Sequence, residues 1–298
     1  MNWTGTFPAI TTNMRSDGAI DHRALARHCR WMIDSGCAGI VCCGSLGEAA
    51  TLSDAEKIDV AKTCVRAVAK RAPIVLGISA LGTREAVALA RAAKNAGCSG
   101  LMVLPPYVYN ADARETCAHV SAVIGATDLS CMLYNNPIAY GADFLPAQVA
   151  ALAAAHPNLH AVKESSGDAR RIAALNRTLR GRLTLLVGMD DAVIDGVAAG
   201  ATGWVAGLVN AFPRESVALF DAVMRGDREI ATRLFRWFLP LLRLDTVPKF
   251  VQYIKWVQAE VGRGTATVRP PRLPLDPREL KMARRVLNRA IETRPAVG

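Results

Sequence analysis

An alternation constrains this chain more than any single motif does. Short apolar runs recur eight times, at residues 3–10, 38–42, 73–78, 100–104, 131–134, 159–163, 183–187 and 202–206. Between them lie longer stretches with the spacing of amphipathic helices, among them 23–35, 55–70, 84–96, 113–124 and 169–179. Strands that alternate with helices pair in parallel through right-handed crossovers. Eight such units predict an α/β chain closed into a (β/α)8 TIM barrel. An open doubly wound sheet is the alternative, but no G-x-G-x-x-G follows the first run.

Local signals agree with this reading. "SDAE" at 53–56 is a capping box, in which the Ser53 hydroxyl accepts from the Glu56 amide while Glu56 reaches back. "SGC" at 35–37 and "AGC" at 96–98 place a glycine where a helix exits through the left-handed region. The eighth unit's helix is expected over 214–224, and after Gly226 the alternation stops. Residues 1–225 therefore read as a catalytic barrel. Residues 226–298 read as a C-terminal helical extension packed on it, with a proline-containing break at "RPPRLPLDP", 269–277.

Composition narrows the function classes. At 298 residues and 51% hydrophobic, the chain can bury one large core. No apolar run reaches the roughly 18–20 residues that a membrane helix needs, so no membrane partner is expected. "MNWTGTFPAI" lacks a basic region followed by an apolar one, so no secretory signal is expected either. The eight cysteines, Cys29, Cys37, Cys42, Cys43, Cys64, Cys98, Cys117 and Cys131, include no C-x-x-C pair and fit free thiols in a reducing cytoplasm. The five histidines are scattered, with no HExxH, so no metal site is expected. The net charge of +10 comes largely from Arg263, Arg269, Arg272, Arg278, Arg284, Arg285, Arg289 and Arg294 near the C-terminus. Such a tail could meet a polyanion. Without aromatic-basic interleaving it reads instead as a solvated helix surface, and no nucleic-acid partner is expected. A basic balance also suits an enzyme of small carboxylates.

A barrel of this kind carries its active site at the C-terminal ends of its strands. Polar groups do gather just beyond the apolar runs: "GSLGE" at 44–48, Ser79, "PPYVYN" at 105–110, Tyr134 with "NNP", Lys163, Gly188 with Asp190, and Gly207. Lys163 is the sharpest of these. A lysine at an apolar rim is desolvated, and desolvation favours its neutral form. A neutral amine condenses with a ketone to a Schiff base, and the protonated imine is an electron sink for bond breaking at the adjacent carbon. The plainer reading is a lysine paired with Glu164 or reaching to solvent. Tyr134, one strand away, can move protons at the substrate oxygen and carbon. The backbone amides and Ser45 hydroxyl of "GSLGE" can cradle a carboxylate.

Together these residues resemble the dihydrodipicolinate synthase / N-acetylneuraminate lyase family of Schiff-base (β/α)8 enzymes acting on pyruvate or other 2-keto acids. Three motifs carry the resemblance: Gly44-Ser45-Leu46-Gly47-Glu48, Tyr134-Asn135-Asn136-Pro137, and Val162-Lys163-Glu164-Ser165-Ser166-Gly167-Asp168. It implies Lys163 as the Schiff-base lysine and Tyr134 as the acid/base. It implies a substrate carboxylate held by the Ser45 loop, with Gly44, Ser45, Leu46, Tyr107, Asn136 and Ala206 as substrate contacts. It implies no metal or organic cofactor beyond the lysine imine, and a homotetramer built as a dimer of dimers.

Three departures bear on the reaction. The second threonine of the family loop is Leu46 here. "Tyr107-Val108-Tyr109" breaks the family's adjacent tyrosine pair and puts Val108 at the proton-relay position. The arginine that binds the aldehyde substrate's carboxylate in the synthases is Ala139, beside Tyr140. These changes keep the imine chemistry and remodel the distal half of the site. The texture around "LPPYVYN", "MLYNNP" and "LDTVPKFVQ" is most similar to the branch that deaminates Δ1-pyrroline-4-hydroxy-2-carboxylate in hydroxyproline degradation. The alternatives are a 2-keto-3-deoxy sugar acid dehydratase or aldolase, 4-hydroxy-tetrahydrodipicolinate synthase itself, or a catalytically silent ligand-binding protein on the same fold.

Overall fold

The computed structural model describes residues 1–108 and 110–297. Eight strands form one parallel sheet: β1 Gly5–Pro8, β2 Ile40–Cys42, β3 Ile74–Ile78, β4 Gly100–Val103, β5 Ser130–Asn135, β6 Leu159–Glu164, β7 Thr184–Val187 and β8 Gly203–Ala206. Each falls within, or overlaps, one of the eight apolar runs. The order runs from β1 through β8 and down to β2. The sheet closes between β1 and β2, where Ala9 bridges Val41 and the Ala38 amide donates to Thr6 O at 2.9 Å. The fold is a (β/α)8 barrel, not an open sheet.

The intervening helices are α1 His22–Asp34, α2 Asp54–Val68, α3 Thr83–Asn95, α4 Ala113–Gly125, α5 Pro137–Tyr140, α6 Pro146–Ala155, α7 Ala169–Leu179, α8 Val193–Ala198 and α9 Pro213–Met224. The capping box forms at the start of α2: Ser53 Oγ accepts from Glu56 N at 3.2 Å, and Glu56 Oε2 accepts from Ser53 N at 2.9 Å. Gly36 and Gly97 take φ of 96° and 88°, the left-handed exits that their positions after α1 and α3 require.

Beyond α9 come α10 Arg228–Leu242, α11 Phe250–Glu260 and α12 Pro277–Glu292. α10 packs on the residue that precedes α9, with Trp237 4.9 Å from Phe238 and both rings edge-on to Phe212. α11 is buried on all sides from Val251 to Gln258, so its polar residues face protein. Gln258 accepts from Thr11 Oγ1 at 2.6 Å, and Lys255 donates to Thr12 O at 3.0 Å. The tail arginines are only partly a solvated surface. Arg269 clamps Glu56 at 2.6 Å, Arg294 donates to the buried Glu215, and Arg263 covers the Trp31 ring at 4.3 Å. No helix among the described residues is long and apolar enough to cross a membrane. All eight cysteines are free, and seven are buried.

Candidate active site

Strand alternation decides where Lys163 points. Successive residues of a strand face opposite sides, so Lys163 and Glu164 diverge. Tyr134 is the register partner of Lys163 on the neighbouring strand, and Asn135 is the partner of Glu164. The pairs accordingly separate. Asn135 Nδ2 donates to Glu164 Oε2 at 3.0 Å on the helix side of the wall, and the Ser166 amide donates to the other carboxylate oxygen at 2.7 Å. On the inner side, Lys163 Nζ lies 4.2 Å above the Tyr134 ring. Among the described residues Lys163 makes no hydrogen bond or ion pair, and it is 6% exposed. The Lys163–Glu164 pairing is therefore ruled out by geometry.

Room for the lysine is made on the next strand. A Cβ on Gly188, just past β7, would overlap Ser165 Oγ and stand 2.7 Å from Lys163 Cε. Lys163 opens into a cavity of about 420 Å³ at the C-terminal end of the barrel. Its lining includes Gly44, Ser45 and Leu46 from the loop after β2, Tyr134 and Asn136 from the end of β5, and Ala139 from α5. Lys163 is the single cation among the described lining residues.

The hydroxyl groups around the lysine are ordered by a short helix. Asn136 caps α5: its Oδ1 accepts from Ala139 N at 3.0 Å, which leaves Nδ2 to donate to Tyr134 Oη at 2.9 Å. An oxygen that accepts from Asn136 keeps its own proton free for the cavity. α5 also delivers Tyr140, whose hydroxyl hydrogen-bonds Ser45 Oγ. Burial, with the Tyr134 phenol beside it, holds the Tyr140 proton well above the usual tyrosine range. Either hydroxyl can donate in this pair, and in the arrangement where Tyr140 donates the Ser45 proton is left for a substrate oxygen. Tyr107 stands one layer back, 5.9 Å from the Tyr140 ring, with its hydroxyl 3.0 Å from Ser79 Oγ.

Two carboxyl groups flank Gly207 at the end of β8. Asp190 is fully buried and accepts from Gly207 N at 3.0 Å, Leu208 N at 2.8 Å and Trp204 Nε1 at 3.1 Å. Burial raises its pKa to about 6 against the pull of those amides. Asp245, on the cavity wall, comes from the turn Arg243–Asp245 in the C-terminal extension. Burial first, and then the Asp190 charge, pushes the Asp245 carboxyl well above the usual carboxylate range.

The chain matches the model of the dihydrodipicolinate synthetase family over residues 2–290. It belongs to that family. The family member is 33% identical over 272 residues to a 4-hydroxy-tetrahydrodipicolinate synthase of Pelobacter propionicus, covering 91% of this chain and 93% of the other. It is 34% identical to a probable 5-dehydro-4-deoxyglucarate dehydratase of Saccharopolyspora erythraea, covering 98% and 94%. The structure superposes on the 4-hydroxy-tetrahydrodipicolinate synthase of Methylacidiphilum fumariolicum SolV with a TM-score of 0.93 at 31% identity, covering 98% and 97% of the chains. The family member is an enzyme of the class I aldolase and lyase type.

Against that family pattern, the fold brings Lys163, Tyr134, Gly44, Ser45, Leu46 and Asn136 to one cavity, as the motifs predict. Two expected contacts fall elsewhere. Tyr107 does not line the cavity; it braces Tyr140 and Ser79 from behind. Ala206 is fully buried and is not in the lining, because alternation along β8 presents Val205 and the backbone of Gly207 instead. Val108 points into solvent, 83% exposed at φ 96°, and Tyr109 lies outside the described residues. Ala139 does line the cavity, where the synthases of the family place their arginine. Two residues escaped the sequence reading, Tyr140 as the partner of Ser45 and Asp245 as a wall residue. Tyr140 was legible only as a neighbour of Ala139. Asp245 carries no local signal, since it reaches the site from a segment with no strand of its own.

Proposed function

We propose that this enzyme is a Schiff-base lyase acting on a small monocarboxylate, and that it converts Δ1-pyrroline-4-hydroxy-2-carboxylate to 2-oxoglutarate semialdehyde and ammonia. The observation that carries the proposal is the lining. It holds Lys163 to activate one carbonyl carbon and the Ser45 loop to hold one carboxylate, and no second cation among the described lining residues to hold another. A cyclic imine with a single carboxylate fits that inventory.

In this reading Lys163 exchanges with the ring imine at C2, with the substrate carboxylate on Ser45 and the loop amides. The iminium acidifies C3, and Tyr134 or a water takes a C3 proton to give the enamine. The enamine electrons form the C3–C4 double bond, and the C4–O bond breaks to release water. Loss of a C5 proton and protonation at C3 move the double bond to C4–C5, and protonation at C4 turns that enamine into a C5 imine. Hydrolysis of the C5 imine and of the lysine imine then releases ammonia and the semialdehyde. Overall, one pyrroline and one water give one semialdehyde and one ammonia. Lys163 supplies the electrophile, so the reading needs no metal or organic cofactor. A homotetramer, built as a dimer of dimers, and a cytoplasmic location belong to the same proposal.

A second reading is dehydration of a 2-keto-3-deoxy sugar acid, supported by the likeness to the Saccharopolyspora protein. It uses the same lysine and the same loss of a hydroxyl one carbon beyond the acidified position. A substrate panel assayed for ammonia release from the pyrroline and for dehydration of a 2-keto-3-deoxy sugar acid separates the readings, and pyruvate release would instead mark an aldolase. Ammonia from the pyrroline supports the first. Its absence, with turnover of a deoxy sugar acid, rejects it in favour of the second.

A further inference from the structure

The mechanism above leaves one partner unassigned: the C4 hydroxyl is a poor leaving group and departs as water only if a proton reaches it. We propose that Asp245 is that acid, a catalytic residue contributed to the barrel's active site by the C-terminal extension. The inference rests on the elimination reading.

Position supports it. Asp245 shares the cavity wall with Lys163, together with its neighbours Thr246 and Val247. Tyr134 approaches Lys163 from β5, whereas Asp245 packs on Gly207 at the end of β8, so base and acid stand on opposite flanks of the lysine strand. Gly207 leaves room for that carboxyl, since a Cβ there would overlap Asp245 Oδ1. The two carboxyl groups beside Gly207 are not equivalent. Asp190 is saturated by two backbone amides and an indole. Asp245, among the described residues, makes no side-chain hydrogen bond and no ion pair, although it lies on a wall lined mainly by apolar groups. Such a half-buried carboxyl is available to a ligand in the cavity.

The charges that face Asp245 are those of Asp190, Asp191 and Lys163, and Arg243 lies 3.9 Å from Asp191. Burial, and after it the Asp190 charge, favour the protonated form of Asp245, and Lys163 opposes them. In the step itself, the C3 proton goes to Tyr134 or water and the C3–C4 double bond forms. The C4–O bond breaks, and the Asp245 proton leaves on the departing hydroxyl as water. Asp245 ends as a carboxylate and is reprotonated from solvent. No electrons are lost or gained.

The test uses full-length enzyme and the isosteric Asp245→Asn variant, with Asp245→Glu as a second variant that keeps the acid. Three signals are read on each: borohydride-trapped adduct on Lys163, deuterium exchange at substrate C3, and product release from the pyrroline or a 2-keto-3-deoxy sugar acid. For Asp245→Asn the expected result is adduct and C3 exchange at wild-type level with product release reduced about 100-fold or more; Asp245→Glu retains more release than Asn. Product release by Asp245→Asn within about threefold of wild type overturns the proposal. Loss of adduct together with release in a folded variant also overturns it, in favour of a role in positioning Lys163. If wild-type enzyme eliminates water from neither substrate, the elimination reading fails and the role of Asp245 fails with it. An active wild type matched by the variant rejects Asp245 alone.

Discussion

Lys255 and Glu48 form a buried ion pair at 2.6 Å that fastens the C-terminal extension to the loop that carries Ser45. Glu48 ends that loop in the left-handed region, φ 59°, and its second oxygen accepts from the Arg269 amide at 3.0 Å. Both side chains are almost entirely removed from solvent. Removing Lys255 leaves Glu48 with the Arg269 amide and Arg272 at 3.9 Å, a partly compensated buried charge that costs up to about 3–5 kcal/mol, whereas replacing both partners with apolar groups costs less. Lys255→Met is expected to lose stability of that order in chemical denaturation and to raise KM more than it lowers kcat. Lys255→Met/Glu48→Leu should recover much of the stability. A double variant no more stable than the single would show that the pair is not what binds the two segments.

Lys163 has no bonded partner among the described residues, so its removal should spare the fold. Lys163→Ala is expected to change unfolding free energy by less than about 1 kcal/mol. It should also abolish the borohydride-trapped 2-keto-acid adduct, read by peptide mass. Gly188→Ala should act on the same lysine from the other side, because its Cβ stands 2.7 Å from Lys163 Cε. Strongly reduced trapping in a folded Gly188→Ala protein is the expected outcome; wild-type trapping would contradict the packing described.

Tyr140 hydrogen-bonds Ser45 and stands outside the cavity lining, so it is expected to act through Ser45. Tyr140→Phe keeps the ring against Tyr134 and removes one neutral hydrogen bond, worth about 0.5–1.5 kcal/mol. KM should therefore rise roughly 2- to 12-fold with kcat little changed. Tyr134→Phe should show the opposite split, with kcat reduced about 100-fold or more. Equal effects of the two variants on both constants would remove the distinction between them.

His28 makes stability pH-dependent. Burial lowers its pKa from the ordinary 6.5 to about 4, against the Asn210 hydrogen bond that raises it. Asn210 Nδ2 donates to Ala9 O and Gly207 O, so its Oδ1 accepts from His28 Nε2, and Gln258 Nε2 donates to Nδ1 at 3.4 Å, which fits a neutral ring. As pH falls below 6.5 the unfolded chain takes up a proton that the folded chain refuses, and stability drops until about pH 4. The contribution is present above pH 6.5 and is on the order of 3 kcal/mol. Denaturation curves between pH 7 and 4 should show this fall in wild type and a shallower one in His28→Gln. Parallel curves would place the pH dependence elsewhere.

Residues that share one segment, or one strand end, were legible before any coordinates. Lys163 and Tyr134 announced themselves because each terminates an apolar run, and the barrel geometry collects all strand ends on one rim. Ala206 was misjudged by one position, since a run of small and apolar residues does not reveal which of its members faces inward. Asp245 and the Tyr140–Ser45 contact were not legible at all, because neither is a property of any single segment.

The division has a physical basis. Periodicity, caps and strand-end motifs are local, and from them the chain alone determined eight strand–helix units, the lysine and its tyrosine. Register, closure and packing are not local. Only the tertiary structure paired Tyr134 with Lys163, turned Glu164 away and brought Asp245 from the extension into the cavity, because contacts between distant segments depend on how every intervening unit packs.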